Sequence, residues 1–113
     1  MVELVETPEK QLLNMIQGYM YILRCGDNSY YTGSTKTLEV RVEQHTSGNG
    51  ANYTRSRLPV TLVYYEEYAR IDDAFYREKQ IQKWSRKKKE VLINGEAEKL
   101  PELAKNYNQF PPK

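Results

Sequence analysis

Aromatic and β-branched residues gather in three segments, and this pattern predicts strands over residues 19–25, 29–34 and 60–68. The first two segments flank Gly26-Asp27-Asn28, which is typical of a hairpin turn. An odd number of loop residues puts Tyr21 and Tyr31 on the same face of such a hairpin. With three loop residues, Tyr21 lies opposite Gly33 and Leu23 lies opposite Tyr31. Because Gly33 lacks a side chain, we expect an open space beside Tyr21 that a ligand can enter.

The segment 37–47 has the spacing of a core-facing helix, but two positions on its inward stripe are polar. The stripe follows the i, i+3, i+4, i+7 pattern and consists of Leu38, Arg41, Val42 and His45. A buried arginine or histidine is costly unless it has a partner or a chemical task. For either residue alone, a snorkelling arginine or a histidine bonded to a backbone carbonyl is a sufficient explanation. Both residues on one face favour a functional site.

A second helix is predicted to begin near Asp72, and it places a carboxylate among apolar residues. Glu78 falls on the stripe formed by Ala74, Phe75 and Ile81. An isolated buried charge is very unfavourable, so Glu78 is expected to be paired, protonated or bound to a cation. The helix itself leaves two explanations open, a salt bridge to Arg41 and a metal site.

The ends of the chain are predicted to lie outside the domain that these elements form. Thr7 and Pro8 are typical of a helix start, which predicts an N-terminal helical extension over residues 1–17. A short helix is expected through residues 91–93, followed by a polar C-terminal tail over residues 95–113. A chain of 113 residues is long enough for one modest core and therefore for one domain.

The composition is that of a soluble globular protein. Hydrophobic residues make up 39% of the chain and charged residues 28%, and no apolar run approaches the ~20 residues of a membrane span. The first residues are acidic and lack the pattern of a secretory signal. The single cysteine, Cys25, allows neither an internal disulfide nor a zinc finger. We therefore expect a cytoplasmic protein with no membrane segment.

Basic residues are concentrated locally, although the formal net charge is only +2. A stretch interrupted only by Glu78 contains Arg77, Lys79, Lys83, Arg86, Lys87, Lys88 and Lys89. This distribution favours a track for nucleic-acid phosphates, for which the candidates are Lys36, Arg55, Arg57, Lys83, Arg86 and Lys87. A solvated helix face explains the same charge run equally well. The polar loop 48–57 either follows a phosphate backbone or is an ordinary connection.

The order and spacing of these polar residues resemble the GIY-YIG endonuclease superfamily. The matching positions are Tyr19-Met20-Tyr21, Tyr31-Thr32-Gly33 ten residues later, and then Arg41, His45 and Glu78. The likeness covers roughly residues 18–94, and the sequence is similar to small stand-alone bacterial members in particular. The resemblance implies an α/β (α+β) fold in which a three-stranded antiparallel sheet is flanked by helices.

The resemblance also implies hydrolysis of nucleic-acid phosphodiesters with one divalent metal ion, Mg²⁺ or Mn²⁺. Tyr21 and Tyr31 match the two motif tyrosines, and either one is a candidate for the general base. Arg41 would neutralise charge on the phosphate, His45 would orient a tyrosine or contact the phosphate, and Glu78 would bind the metal. The expected partner is nucleic acid, with DNA favoured over RNA.

The sequence departs from the family pattern at several places, among them the late asparagine of some members, which has no clear match here although Asn94 is nearby. The first motif half is Tyr-Met-Tyr instead of Gly-Ile-Tyr, and Ser34 stands where many relatives have a lysine, a charge for which Lys36 is a possible replacement. Without an added recognition domain, binding is expected to have low sequence specificity and to weaken steeply with salt. Two other functions stay open: a nucleic-acid-binding module with little or no turnover, and a protein-interaction domain with an idle site.

Overall fold

The structure of the protein, a computed structural model, describes Pro8 and residues 15–96. The strands in this part of the chain are β1 (Gly18–Arg24), β2 (Tyr30–Thr35) and β3 (Thr61–Tyr68). The helices are α1 (Leu38–Thr46), α2 (Asn52–Arg55), α3 (Ile71–Gln82) and α4 (Arg86–Ile93). The predicted extension over residues 1–17 and tail over residues 95–113 lie almost entirely outside the described residues, so both stay predictions.

The three strands form one antiparallel sheet in the order β2-β1-β3, which confirms the predicted fold class. The register pairs Tyr21 with Gly33 and Leu23 with Tyr31, as predicted. The hairpin closes where the Cys25 amide donates to the Ser29 carbonyl over 2.8 Å, which leaves three residues in the loop. The last of these, Asn28, has a φ of 71°, a left-handed conformation that asparagine tolerates better than most residues.

The central strand β1 is buried on both faces, because helices cover the sheet on either side. On one face, α3 and α4 enclose a core made of Met20, Ile22, Ile81, Trp84, Val91 and Leu92. On the other face, α1 packs Leu38 and Val42 against a core made of Tyr21, Leu23, Cys25 and Val60. Alternate β1 side chains therefore face two different cores, and the odd-numbered positions face α1.

Two side chains of the predicted helices have an unexpected degree of burial: one apolar side chain is exposed, and one charged side chain is buried. Phe75, expected on the buried stripe of α3, is 50% exposed, and the Lys79 amine lies 4.9 Å from its ring centre. Lys88, part of the basic stretch, is fully buried, and its amine lies 4.9 Å from the Trp84 ring centre. Burial lowers the pKa of Lys88. The basic stretch is therefore not a uniformly solvated face.

No helix in the described ranges is long and apolar enough to cross a membrane.

Truncation of the α3 core contact tests this packing. Ile81 is fully buried, so Ile81→Ala is expected to lower the free energy of unfolding by about 3 kcal/mol through lost burial and an unfilled cavity. Tyr76 lies on the same helix and is 81% exposed, so Tyr76→Ala should change the free energy of unfolding by less than about 0.5 kcal/mol. Denaturant unfolding measures both variants, and equal losses would contradict the assigned core.

Candidate active site

A chain of buried hydrogen bonds links the central strand β1 to the two helices that follow the hairpin, α1 and α2. The Tyr21 hydroxyl lies 2.9 Å from Nε2 of His45, and Nδ1 of His45 lies 2.7 Å from Oγ1 of Thr54. The Thr54 hydroxyl in turn donates to the carbonyl of Ala51 over 3.0 Å. None of the three side chains is more than 1% exposed. The chain therefore holds β1, α1 and α2 together inside the protein.

The partners fix the direction of every proton in this chain. A carbonyl only accepts, so the single Thr54 hydroxyl proton points at Ala51. Thr54 must then accept from Nδ1–H of His45, which leaves Nε2 as the acceptor of a neutral imidazole. Tyr21 consequently donates its hydroxyl proton to His45.

The electrostatics of the buried site agree with this assignment. Burial, together with the nearby positive charge of Arg41, lowers the pKa of His45 to about 4. Burial also raises the pKa of Tyr21 to about 12 and outweighs the opposing effect of Arg41. Both groups are therefore neutral near pH 7, as the hydrogen bonds require.

Two glycines allow the rings of this chain to pack closely. A Cβ atom on Gly33 would lie 2.5 Å from the Tyr21 hydroxyl oxygen and 2.6 Å from its Cζ. The prediction of an open space beside Tyr21 is therefore wrong, because the Tyr21 phenol itself lies over Gly33. Gly50 has the same relation to the imidazole, since its Cβ would lie 2.8 Å from Cγ of His45.

Tyr31 and Arg41 form the more accessible part of the site. Tyr31 is partly exposed on β2, with its ring centre 6.4 Å from that of Tyr21 and 5.1 Å from that of His45. Burial raises the pKa of Tyr31, Arg41 lowers it, and the charge of Glu78 raises it. The Arg41 guanidinium also donates to the side chain of Gln44 over 3.0 Å. Four of the five predicted site residues thus gather on the α1 side of the sheet.

Glu78 approaches from the other side of the sheet, at the edge strand. Its Oε1 accepts a 2.6 Å hydrogen bond from the Ser34 hydroxyl, and its Oε2 accepts one of 2.8 Å from Gln82. The ion pair to Arg41 that the sequence left open is not formed, and the nearest cation is Lys79, at 3.9 Å. The Glu78 charge nonetheless raises the pKa of both Tyr21 and Tyr31.

The surroundings of Glu78 fit a magnesium-like cation that takes most of its ligands from elsewhere. In the described part of the chain, no three histidine, cysteine, aspartate or glutamate side chains lie close enough to hold a metal. Each Glu78 carboxylate oxygen accepts one hydrogen bond from these two side chains and retains acceptor capacity. Thr32, on the same face of β2 as Ser34, has a buried hydroxyl without a hydrogen-bond partner among the described residues. One carboxylate with a hydroxyl beside it suits Mg²⁺, which keeps several waters and uses substrate phosphates.

The six candidate phosphate-binding residues divide into two groups. The arginines have contacts within the protein: Arg55 bonds Asn52, Arg57 pairs with Asp27 over 3.1 Å, and Arg86 donates to the Asn28 carbonyl over 2.7 Å. Arg57 and Arg86 therefore hold the hairpin loop. The lysines are exposed, and their side chains make no hydrogen bond or ion pair within residues 15–96; they are Lys36, Lys83 and Lys87.

Comparison with known proteins identifies the family. The model of the GIY-YIG catalytic domain matches residues 17–91, which is more than half of the chain. The chain belongs to the GIY-YIG family. Membership of this catalytic family indicates nuclease activity and a nucleic-acid substrate.

Small relatives resemble this GIY-YIG chain along most of their own sequence. A UPF0213 protein of Staphylococcus haemolyticus is 44% identical over 79 residues, 70% of this chain and 96% of the relative. A UPF0213 protein of Clostridium perfringens is 44% identical over 90 residues, 80% and 97% of the two chains. The solution NMR structure of a UPF0213 protein from Bacillus halodurans is 42% identical, covers 68% of this chain and 82% of that one, and has a TM-score of 0.46.

Sequence reasoning missed three residues that support the GIY-YIG site. Thr54 and Gly50 lie in the segment 48–57, which was expected to be a phosphate-binding loop or an ordinary connection. Thr54 orients the imidazole and Gly50 makes room for it. Ser34, noted only as a departure from the family, donates to Glu78. A threonine and a glycine in a polar loop carry no periodic signal, so only the folded contacts identify them.

The proton assignment predicts an unusual histidine, and His45 is the only histidine in the chain, so its signals are unambiguous. At pH 7, ¹⁵N NMR should show a neutral ring protonated at Nδ1, and titration should protonate it only near pH 4.

Since this pKa lies below the unfolded value of about 6.5, His45 stabilises the fold above that pH. Its contribution declines as pH falls through 6.5 and is lost below about 4.

Tyr21→Phe provides the matched control, because it keeps the ring and removes the proton donated to Nε2. The variant should shift the Nε2 resonance and leave Nδ1 protonated. An Nε2–H tautomer in the wild type, or protonation near the ordinary value of about 6.5, would contradict the assignment.

Proposed function

We propose that this protein is a metal-dependent endonuclease that hydrolyses nucleic-acid phosphodiesters, with DNA expected before RNA. Tyr31 is the general base, Arg41 binds the phosphate, and Glu78 holds a divalent cation, Mg²⁺ or Mn²⁺. The observation that carries this proposal is the buried hydrogen-bond chain, because it uses the proton of Tyr21 and leaves Tyr31 as the accessible phenol beside Arg41.

Tyr31 is favoured over Tyr21 as the base because of access and proton direction. Tyr21 is 1% exposed and already donates to His45, whereas Tyr31 is partly exposed on the edge strand. Burial and the Glu78 charge raise the pKa of Tyr31, and Arg41 lowers it. Neutralisation of Glu78 by a cation removes one of the two effects that oppose phenolate formation.

The reaction follows from these positions. A water molecule gives its proton to the Tyr31 phenolate while its oxygen forms a bond to phosphorus, and the bond from phosphorus to the leaving oxygen breaks. The Arg41 guanidinium, which acts on both phenols, stabilises the negative charge that develops on the phosphate oxygens. A divalent cation, when bound, supplies Lewis-acid stabilisation of the phosphate and leaving oxygens, and Glu78 is the carboxylate that would hold it.

Tyr21, His45 and Thr54 act in this proposal as positioning residues. Both imidazole nitrogens have partners inside the protein and the ring is fully buried, so orientation of Tyr21 is favoured over the alternative role of His45 as a phosphate ligand. Tyr21 packs against Gly33, the neighbour of Ser34, whose hydroxyl bonds Glu78. The chain thus sets the position of the strand segment on which both halves of the site depend.

Phosphate binding beyond the reacting centre is assigned to exposed basic side chains. Lys36, Lys83 and Lys87 have no competing partner among the described residues and can neutralise backbone phosphates. Arg55, Arg57 and Arg86 contribute through the charge that remains after their contacts within the protein.

Cleavage of labelled substrates tests the proposal directly. Wild type, Glu78→Gln and Tyr31→Phe are incubated with single-stranded, duplex, flapped and branched DNA and RNA, with Mg²⁺ or Mn²⁺ and with a chelator. We expect metal-dependent cutting by the wild type and a loss of roughly 100-fold or more in each variant, the usual effect of removing a base or a metal ligand. Chelation should abolish cutting.

Thermal unfolding controls for the fold of both variants, since each substitution keeps the size of its side chain. Wild-type binding to these substrates without cutting under any condition would favour a nucleic-acid-binding module instead. Neither binding nor cutting would favour a protein-interaction domain. Full cutting by Tyr31→Phe would remove Tyr31 from the role of base.

The pH dependence of cleavage provides a second test. A phenol is mostly protonated near neutral pH, and the pKa of Tyr31 is raised further by burial, so the reactive phenolate is scarce and increases with pH. The single-turnover rate should therefore rise about tenfold per pH unit from about pH 6 to 8. Tyr21→Phe should be slower but keep this slope, because its hydroxyl serves in positioning. A wild-type rate that is level across this range would contradict a phenol base.

A further inference from the structure

A groove beside the candidate active site lies between the sheet and the start of α1. It has a volume of about 450 Å³, and its principal lining side chains are Tyr19, Lys36, Glu39, Tyr65 and Glu67. Tyr65 pairs directly with Tyr21 in the β1–β3 register, and Tyr19 lies two residues before Tyr21 on the same strand face. The groove therefore continues the surface that carries the two motif tyrosines.

One of the two aromatic side chains that line this groove, Tyr65, is largely open to solvent. The Tyr19 and Tyr65 rings lie 6.2 Å apart between centres at an angle of 58°, and Tyr65 is 46% exposed. Neither hydroxyl has a hydrogen-bond partner within residues 15–96. A half-exposed tyrosine ring such as that of Tyr65 presents a face to solvent, and such faces stack on nucleobases whatever their sequence.

We propose that this groove is a base-binding subsite that stacks an unpaired nucleobase of the substrate on Tyr65, next to the phosphate held at Tyr31 and Arg41. The proposal rests on the proposed function, since it names the part of a nucleic acid that lies beside the reacting phosphodiester. A base inside a duplex has both faces covered by its neighbours. The groove therefore selects substrates with an unstacked nucleotide at this position.

The charges of the groove favour a base over a phosphate. Glu39 and Glu67 line it, and Glu67 pairs directly with Tyr19 on the same strand face. Two carboxylates repel a phosphate but accept hydrogen bonds from the amino groups of bases. Lys36, the one cationic side chain among those lining the groove, can meet the backbone phosphate that carries the base.

Binding without metal separates this proposal from catalysis. A fluorescent oligo-deoxycytidine and an abasic deoxyribose-phosphate chain of the same length are titrated by anisotropy in the presence of a chelator. Wild type should bind the oligo-deoxycytidine more tightly than the abasic chain. Tyr65→Ala should weaken binding of the base-containing chain by roughly tenfold and leave binding of the abasic chain unchanged. Tyr65→Phe is the matched control and should bind both probes like the wild type.

Each result decides the proposal. Equal wild-type affinity for the two probes, or an equal loss for both in Tyr65→Ala, would overturn the base subsite, with thermal unfolding to verify that the variant is folded. Failure here would leave the nuclease proposal standing if the wild type cuts nucleic acid with metal. Absence of cutting together with a Tyr65-dependent preference for the base-containing chain would support the subsite and count against the nuclease.

Discussion

The buried hydrogen-bond chain from Tyr21 to Ala51 is the interaction on which the rest of the site depends. It begins on the central strand, passes through a helix and ends on a carbonyl that can only accept, so every proton in it has one direction. A buried polar group without a partner costs about 1–3 kcal/mol, which means that loss of any link exposes its neighbours to that cost. The chain therefore couples the position of α1, and with it Arg41, to the central strand.

This coupling makes the two motif tyrosines chemically different although they share a face of the sheet. The hydroxyl of Tyr21 is satisfied, covered and bonded to an imidazole that stays neutral at ordinary pH. Tyr31 is one strand further out, partly exposed, and subject to opposing effects of Arg41 and Glu78 on its pKa. One phenol is covered and held by a hydrogen bond, whereas the other is partly open to solvent and lies beside the charge of Arg41.

Much of the fold could be predicted from the sequence because it follows from local rules, but several site contacts could not. Three loop residues fix the hairpin register, and with it the shared face of Tyr21 and Tyr31. Helical spacing likewise placed His45 inward on α1. The use of Gly33 was misjudged, because spacing identifies a missing side chain but not which neighbour fills its place. The role of Thr54 could not be predicted because Thr54 lies in the short helix α2, which has no hydrophobic periodicity and meets α1 only after folding.

The position of Glu78 explains why such a site forms at an edge strand. The tyrosines lie on the α1 side of the sheet, whereas Glu78 reaches Ser34 from the α3 side. A continuous sheet separates its two faces. Groups on opposite faces can therefore contact the same phosphate only at the open side of an edge strand. β2 is such a strand, and it carries both Tyr31 and Ser34. A substrate approaching this edge would meet both faces, which makes the strand order β2-β1-β3 a condition for the proposed chemistry as well as for the fold.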